Sequence, residues 1–288
     1  MFPAACCPKS NTRSGAPAFV GPLDALIAQG AVVQYAGSVR RLLSSYAGYS
    51  MKLRGNGAGS PTADIAFLAN GDMDLTAAAA AATASGGTAA FGHTLYDQTG
   101  TLDATQATEA NQMVFSTAVE SKGGFGDGTA DATVWLGLNL GTIAQPSLFL
   151  FAVNIGSGVS TKFIFGNSAS NTNRYCQVSG SAMRQHWGVL LPGTNNEVAD
   201  GKRSLAYLSN GAISKNILDG TTILTGDAGN TQLDLSAARL GSGLSATTNW
   251  LNTAGNSLSE VIIFTGDPTG LAGWSDFITA QKTYFGVV

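Results

Sequence analysis

The sequence predicts an all-β sandwich in one domain, with a short Ala-rich helix and a closing C-terminal helix. Three observations predict it. Many short apolar runs, rich in Val, Ile, Phe and Thr, are bounded by Gly, Asn, Asp or Ser, as in sandwiches and barrels. The chain has 288 residues, 44% of them apolar, enough to bury a sizeable core within one all-β domain. No repeat of fixed period runs through it, which disfavours a solenoid or propeller.

Residues 1–22 carry prolines, Gly, Ala and small polar residues without periodicity, and are expected to form an extended arm; residues 23–288 form the domain. Pro22 to Ala28 suits a short helical turn. Tyr35 to Arg54 alternates short β-prone pieces around Gly48. The stretch Leu75–Ala84 reads as a helix capped by Asp72 or Asp74 and ended by Gly86-Gly87, with side chains small enough to lie close against a sheet. Strands are expected at His93–Tyr96, Met113–Phe115, Thr133–Leu140, Ser147–Ile155, Lys162–Phe165, Tyr175–Val178, Trp187–Leu191, Ser204–Leu208 and Leu258–Phe264. Leu148 to Val153 is apolar throughout, as expected of a strand covered on both faces. The closing helix is expected to start at Asp267 as cap and Pro268 as first residue, with Leu271, Trp274 and Ile278 on one face.

Charged residues make up 11% of the chain, against about 25% in an ordinary domain. The polar surface then consists mainly of Ser, Thr, Asn, Gln and Gly. Such a surface repels weakly and suits packing against copies or partners, so a homo-oligomer is expected. Net charge is −3 and no basic cluster is longer than the pair Arg40-Arg41, which argues against nucleic acid as a partner. No apolar stretch is long enough to span a membrane, and Met1–Ser10 lacks signal-peptide character. Cys6, Cys7 and Cys176 have no disulfide or zinc spacing and are expected to be free thiols.

Residues that could carry chemistry are few. No Ser has Gly at both −2 and +2, so a nucleophile elbow is absent. His93 and His186 read as strand residues. Gly55-Asn-Gly57-Ala-Gly59 is followed by Pro61 rather than a helix and reads as a hairpin or loop. Asp72, Asp74, Asp97 and Asp103 could gather oxygen ligands for calcium, but helix capping and Asx-turns account for the same residues, and no metal or cofactor is expected. Trp187 and Trp250 could stack on sugars, although a buried core Trp is the commoner fate.

One stretch is more specific. Residues 38–59, SVRRLLSSYAGYSMKLRGNGAG, lead on to DIAFLANGDMDL and then to TLYDQTGTLDATQATEANQ. These strings resemble the first part of the catalytic domain of the fungal α-L-arabinofuranosidase B family, and the related lectin-like domains of tailed-phage structural proteins. Arg40 or Arg41, Leu42, Ser44-Ser45-Tyr46, Gly48, Ile65, the Gly71–Asp74 turn and Tyr96-Asp97-Gln98-Thr99-Gly100 carry the match. The continuation Asp103-Ala-Thr-Gln-Ala107 is especially like the phage variants. The resemblance implies a concanavalin-A-like (jelly-roll) version of the sandwich. The motif Tyr96, Asp97, Gln98, Gly100 also has a local sense: Asp97 and Gln98 can bond to backbone in a tight turn, and Gly100 permits a positive φ.

Retaining glycosidases need two carboxyl groups about 5–5.5 Å apart. The resemblance implies one just after a Tyr-Gly-Asn strand end, and one beyond a Leu-Gly-x-Gly turn. The comparable strings here are Phe165-Gly166-Asn167 followed by Ser168-Ala169-Ser170, and Leu240-Gly241-Ser242-Gly243 followed by Leu244-Ser245, with no carboxylate in either. Asp227, Asp234 and Glu260 are alternative candidates. The expectation drawn from these strings is a non-catalytic bacteriophage virion protein, a capsid decoration, fibre or tail-associated subunit, docking on other virion proteins through its arm. The alternatives are a module binding a surface glycan, and an arabinofuranosidase-like glycoside hydrolase.

Overall fold

The fold comes from a computed structural model that describes residues 18–100, 102–117, 122–126, 134–156, 162–167, 174–193, 198–229, 233–242 and 255–288. The chain is mostly β. Helix α1 (Asp24–Ala28) precedes β1 (Val32–Ser38), β2 (Met51–Gly55) and β3 (Thr62–Ile65); helix α2 (Leu75–Thr83) follows. Then come β4 (Ala90–Leu95), β5 (Ala104–Thr105), β6 (Met113–Ser116), β7 (Gly124–Gly126), β8 (Leu136–Leu138) and β9 (Thr142–Ile143). The second half adds β10 (Ser147–Ile155), β11 (Lys162–Asn167), β12 (Arg174–Ser179), β13 (Ala182–Trp187), β14 (Leu190–Leu191) and β15 (Gly201–Ser209). It ends with β16 (Ser214–Leu218), β17 (Thr221–Gly226), β18 (Leu233–Asp234), β19 (Ala238–Leu240), β20 (Ser257–Thr265) and α3 (Trp274–Phe285).

Pairing is antiparallel throughout and has two arms. In one, β1, β20, β10, β15, β16 and β17 lie side by side. In the other the order is β3, β2, β4, β5, β8, β19, β11, β12, β13, β14. The short strands β6 and β7 bridge β4 to β20.

Strand β10 shows why its sequence is apolar at every position. Leu148 and Leu150 point into a cluster with Leu208, Ile262, Phe264, Trp274 and Ile278, which α3 covers. Phe149 and Phe151 point the other way, against Phe165, Trp187 and Tyr207. Side chains alternate along a strand, so a strand covered on both sides needs apolar residues in both phases. Each large side chain so buried contributes about 1.5–3 kcal/mol.

Helix α2 starts where Asp74 accepts a hydrogen bond from the Ala77 N–H at 2.9 Å. Ala78 and Ala81 are buried beneath it. The helix lies so near β2 that a Cβ on Gly55 would sit 2.5 Å from the Ala81 carbonyl oxygen. The glycine-rich string after it makes the β2–β3 hairpin loop.

Several boundaries differ from the sequence reading. Asp267 caps a 3₁₀ turn, Pro268–Gly270, through the Thr269 N–H; α3 begins only after Gly273, whose N–H is taken by Gln29. Its buried face is Trp274, Phe277, Ile278, Gln281 and Phe285, and Gly286 ends it at φ 68°. The run at Trp187–Leu191 divides, because Trp187 closes β13 and Gly188 turns the chain into β14. The hairpin β16–β17 was missing from the expected strands. Its turn is Asp219-Gly220, both at positive φ (51° and 91°), as a two-residue hairpin requires.

The expected arm boundary falls among ordered residues. The Gly21 N–H bonds Asp24, and the Arg41 guanidinium stacks 3.8 Å from the Phe19 ring centroid. Residues 1–17, with Cys6 and Cys7, lie outside the described residues. Cys176 is a free, buried thiol, and burial raises its pKa.

Candidate functional site

The second arm of the sheet carries one unbroken cross-strand row. From edge to edge the paired residues are Asp64, Lys52, Thr94, Thr105, Gly137, Arg239, Gly166, Tyr175, His186 and Leu190. Directly opposed residues in an antiparallel sheet share a face. Their neighbours Ile65, Leu53, Ala104, Leu138, Leu240, Phe165, Cys176 and Trp187 are buried in the core, so this row lines the outer face.

At the middle of the row the floor is cut away. Gly137 has no side chain, and the ring of Trp135, two residues earlier on the same face, folds over it. A Cβ on Gly137 would meet Trp135 Cζ3 at 2.7 Å and the Thr105 carbonyl oxygen at 3.2 Å. The Arg239 guanidinium stands 4.4 Å from the Trp135 ring centroid. Around this pair opens a groove of about 340 Å³, also lined by Asp103, Thr105, Asn139 and Ser236. Partial burial lowers the Arg239 pKa, and a guanidinium keeps its charge in proteins. Arg239 therefore brings a permanent positive charge and several N–H donors beside a flat aromatic face.

Asp103 reaches the groove because the Tyr96–Gly100 motif holds its loop. The buried Asp97 carboxylate accepts from the N–H groups of Ala36 (2.9 Å), Thr99 (3.0 Å) and Leu102 (3.1 Å), and from the Thr99 hydroxyl. The Asp97 N–H in turn donates to Asp103 Oδ1 at 3.0 Å. Gln98 ties the same loop to the 40–42 segment: its Oε1 accepts from the Leu42 N–H at 2.6 Å and its Nε2 donates to the Arg40 carbonyl at 2.8 Å. Gly100 adopts φ 81°. Tyr96 turns outward, where its hydroxyl donates to Asp64 at 2.6 Å, and both burial and this bond raise its pKa.

The alternative carboxylates part company. Glu260 is in the core, paired with Arg40 at 2.7 and 2.9 Å and bonded by Ser38 and Gln281, each at 2.8 Å. It holds the fold together and is closed to substrate. Asp227 is exposed and stabilises a turn through the Gly229 N–H. Asp234 is exposed and its Oδ1 accepts from the N–H (3.1 Å) and hydroxyl (2.7 Å) of Ser236, which itself lines the groove. The other acidic residues considered for calcium have separate duties. Asp74 caps α2, while Asp72 faces Lys122 at 3.5 Å and takes a bond from Asn70.

Of the two tryptophans considered for sugar stacking, Trp187 offers no free face. It is fully buried, stacked on Phe149 at 4.9 Å, and its indole N–H donates to Gln185. Trp250 lies outside the described residues. The ring that does face the groove, Trp135, was not singled out from sequence.

The strings Phe165-Gly166-Asn167 and Leu240-Gly241-Ser242 are neighbours, since Phe165 pairs with Leu240 and the Gly241 N–H donates to the Ile164 carbonyl. They run antiparallel, so the chain leaves them in opposite directions, from points about 10 Å apart along the strands. Ser168–Ser170 and Leu244-Ser245, where the resemblance implies the carboxylates, lie outside the described residues.

No protein-family model and no curated protein sequence matches the chain. Solved structures do. An arabinofuranosidase complexed with arabinofuranosyl-α-1,2-xylobiose aligns over 91% of this chain and 65% of its own, with TM-score 0.64 and 16% identity. A GH54 α-L-arabinofuranosidase soaked with a cyclic sulfate inhibitor gives TM-score 0.61 and 15% identity. A Glu-to-Gln mutant of such an enzyme, soaked with 4-nitrophenyl α-L-arabinofuranoside, gives 0.62 and 17%. The chain thus spans just under two thirds of the length of these proteins, and at such identities the likeness is one of fold. It corrects the expectation of a non-catalytic bacteriophage virion subunit: these matching structures are glycoside hydrolases.

Proposed function

We propose that the chain is a glycosidase of the arabinofuranosidase type, built on a concanavalin-A-like sandwich, which takes an α-L-arabinofuranosyl unit in the Trp135–Arg239 groove. The observation that carries this reading is the Trp135 ring packed against Gly137 in the groove, with Arg239 over the ring and Asp103 in the same lining. A flat aromatic face suits the C–H groups of a sugar, and guanidinium donors suit its hydroxyls. The likeness in fold to arabinofuranosidases supports it independently. Asp103 and Asp234 are the carboxylates assigned to the reaction, because one lines the groove and the other is bonded to a residue that does. One acts as nucleophile or base and the other as proton donor.

The test is release of 4-nitrophenol from 4-nitrophenyl α-L-arabinofuranoside. The unmodified protein is expected to turn it over, and Asp103→Asn and Asp234→Asn each to lower kcat by about 10²–10⁴. Absence of turnover by the unmodified protein, or full activity in both variants, overturns the reading.

A further inference from the structure

The groove is the middle of something longer. Aromatic rings occur on the same outer face on both sides of Trp135. On one flank, Tyr49 and Tyr96 pack with ring centroids 6.3 Å apart, and Tyr49 is 48% exposed although nothing in the core requires an aromatic there. On the other flank, Tyr175 is a member of the cross-strand row and packs against Phe163 at 4.9 Å and His186 at 5.5 Å. Tyr96 follows β4 and Tyr175 lies on β12, five strands away. At the usual inter-strand spacing that is a path of about 24 Å, several times the width of one sugar ring.

Between these flanks the row holds two glycines. Gly137 and Gly166 flank Arg239 in the row, so no side chain rises from the sheet at either position. A lone subsite for a single sugar would need only Trp135 and its neighbours. Rings at both ends, with Trp135 and Arg239 between them, describe a track that runs across the strands.

We infer that this face binds a glycan chain of several units lying perpendicular to the strands, with the Tyr49–Tyr96 pair and Tyr175 as outlying platforms and Trp135 at the centre. The substrate is then a polysaccharide or long oligosaccharide rather than a small glycoside. This rests on the glycosidase reading for the identity of the sugar, but not for the track itself. The outlying tyrosines are binding residues; they touch no reacting atom.

Calorimetric titration of the full chain, in the Asp103→Asn background so that ligand survives, tests it. The probes are arabinoxylan oligosaccharides with two, four and six backbone units. The expected result is a Kd that falls at least about tenfold from the shortest to the longest, with Tyr49→Ala and Tyr175→Ala each removing about threefold to tenfold of that gain. Tyr49 is exposed enough that its variant should fold even if the Tyr175 variant does not; thermal unfolding identifies the latter case. A Kd independent of length, no binding of any probe, or a gain that survives Tyr49→Ala overturns the track. Hydrolysis of the aryl glycoside without a length effect leaves the glycosidase reading standing and removes the track. A tyrosine-dependent length effect without hydrolysis does the reverse.

Discussion

Arg40 and Arg239, two of the arginines that stand over aromatic rings, differ in how the fold supplies their partners. Arg40 lies 5.0 Å from the Tyr284 ring and 5.4 Å from the Phe285 ring, and is 4% exposed. Its guanidinium makes a two-pronged pair with Glu260, whose oxygens also accept from Ser38 and Gln281. Ser204 bonds Gln281 in turn, so β1, β15, β20 and α3 meet at one knot. Arg239 lies 4.4 Å from the Trp135 ring, half-buried, and among the described residues no carboxylate pairs with it. A charge withdrawn from water must have its partners supplied by the fold, whereas one left at a groove wall keeps donors for a ligand. Completeness of the partner set, rather than residue type or ring contact, separates the structural Arg40 from Arg239, the arginine proposed to bind.

The largest way to break this contrast is to remove Glu260. Glu260→Ala strands the buried Arg40 charge and is expected to cost about 3–5 kcal/mol in urea unfolding, whereas Arg239→Ala should cost under about 1 kcal/mol while abolishing sugar binding. Equal losses of stability in the two variants would show that the two arginines do the same work. Asp97→Ala comes next. It leaves three backbone N–H groups and a hydroxyl without their acceptor, at about 3 kcal/mol, and also frees the loop that presents Asp103. Thermal unfolding and glycan titration on this variant should therefore both change. Gly137→Ala is smaller in stability and sharper in function. The added methyl meets the Trp135 ring at 2.7 Å, so the ring must lift, at about 1–3 kcal/mol, and ligand affinity should fall more than in a Thr105→Ala control.

Much of the framework was legible in the sequence, because it depends on local pattern. The apolar run of β10, the closing strand β20 and the Asp74 cap of α2 can be read from residues within ten positions of one another. The β16–β17 hairpin is equally local, with Asp219-Gly220 as its turn signal. Alternation across β13 places Trp187 on the same side as Met183 and Gln185, all buried, which already argued against a sugar platform. The groove was not legible. Trp135 and Arg239 are far apart in sequence, and only the pairing of β8 with β19 brings them together. Nothing local distinguishes Trp135 from a core residue, since its outward phase depends on the register of β8. The Tyr96–Gly100 motif was visible, but its role in positioning Asp103 required the loop geometry.

The smallest expected effect tests whether the face between the tyrosine flank and the groove is electrostatically tuned. His93 is the extra residue at the irregularity in β4, since Lys52 pairs with Thr94 and Leu53 with Gly92. Its Nδ1 lies 2.8 Å from the Thr94 hydroxyl. Partial burial lowers its pKa below the ordinary value; Lys52 and Arg54 on β2 add to that, and Asp64 opposes them. The folded form therefore releases the proton more readily than the unfolded chain, whose histidine titrates near 6.5. Between the two values the unfolded state holds more protons, so unfolding free energy rises with pH there. The contribution is fully present above about pH 6.5 and is lost as pH falls through the lower folded value. Urea midpoints at pH 5.0 and 7.5 should thus differ more in the unmodified protein than in His93→Gln, which keeps a hydrogen-bonding side chain but cannot titrate. An equal pH dependence in both proteins would mean that burial and the lysine–arginine pair do not act on this imidazole, and that the stretch of face next to Thr105 is set by shape alone.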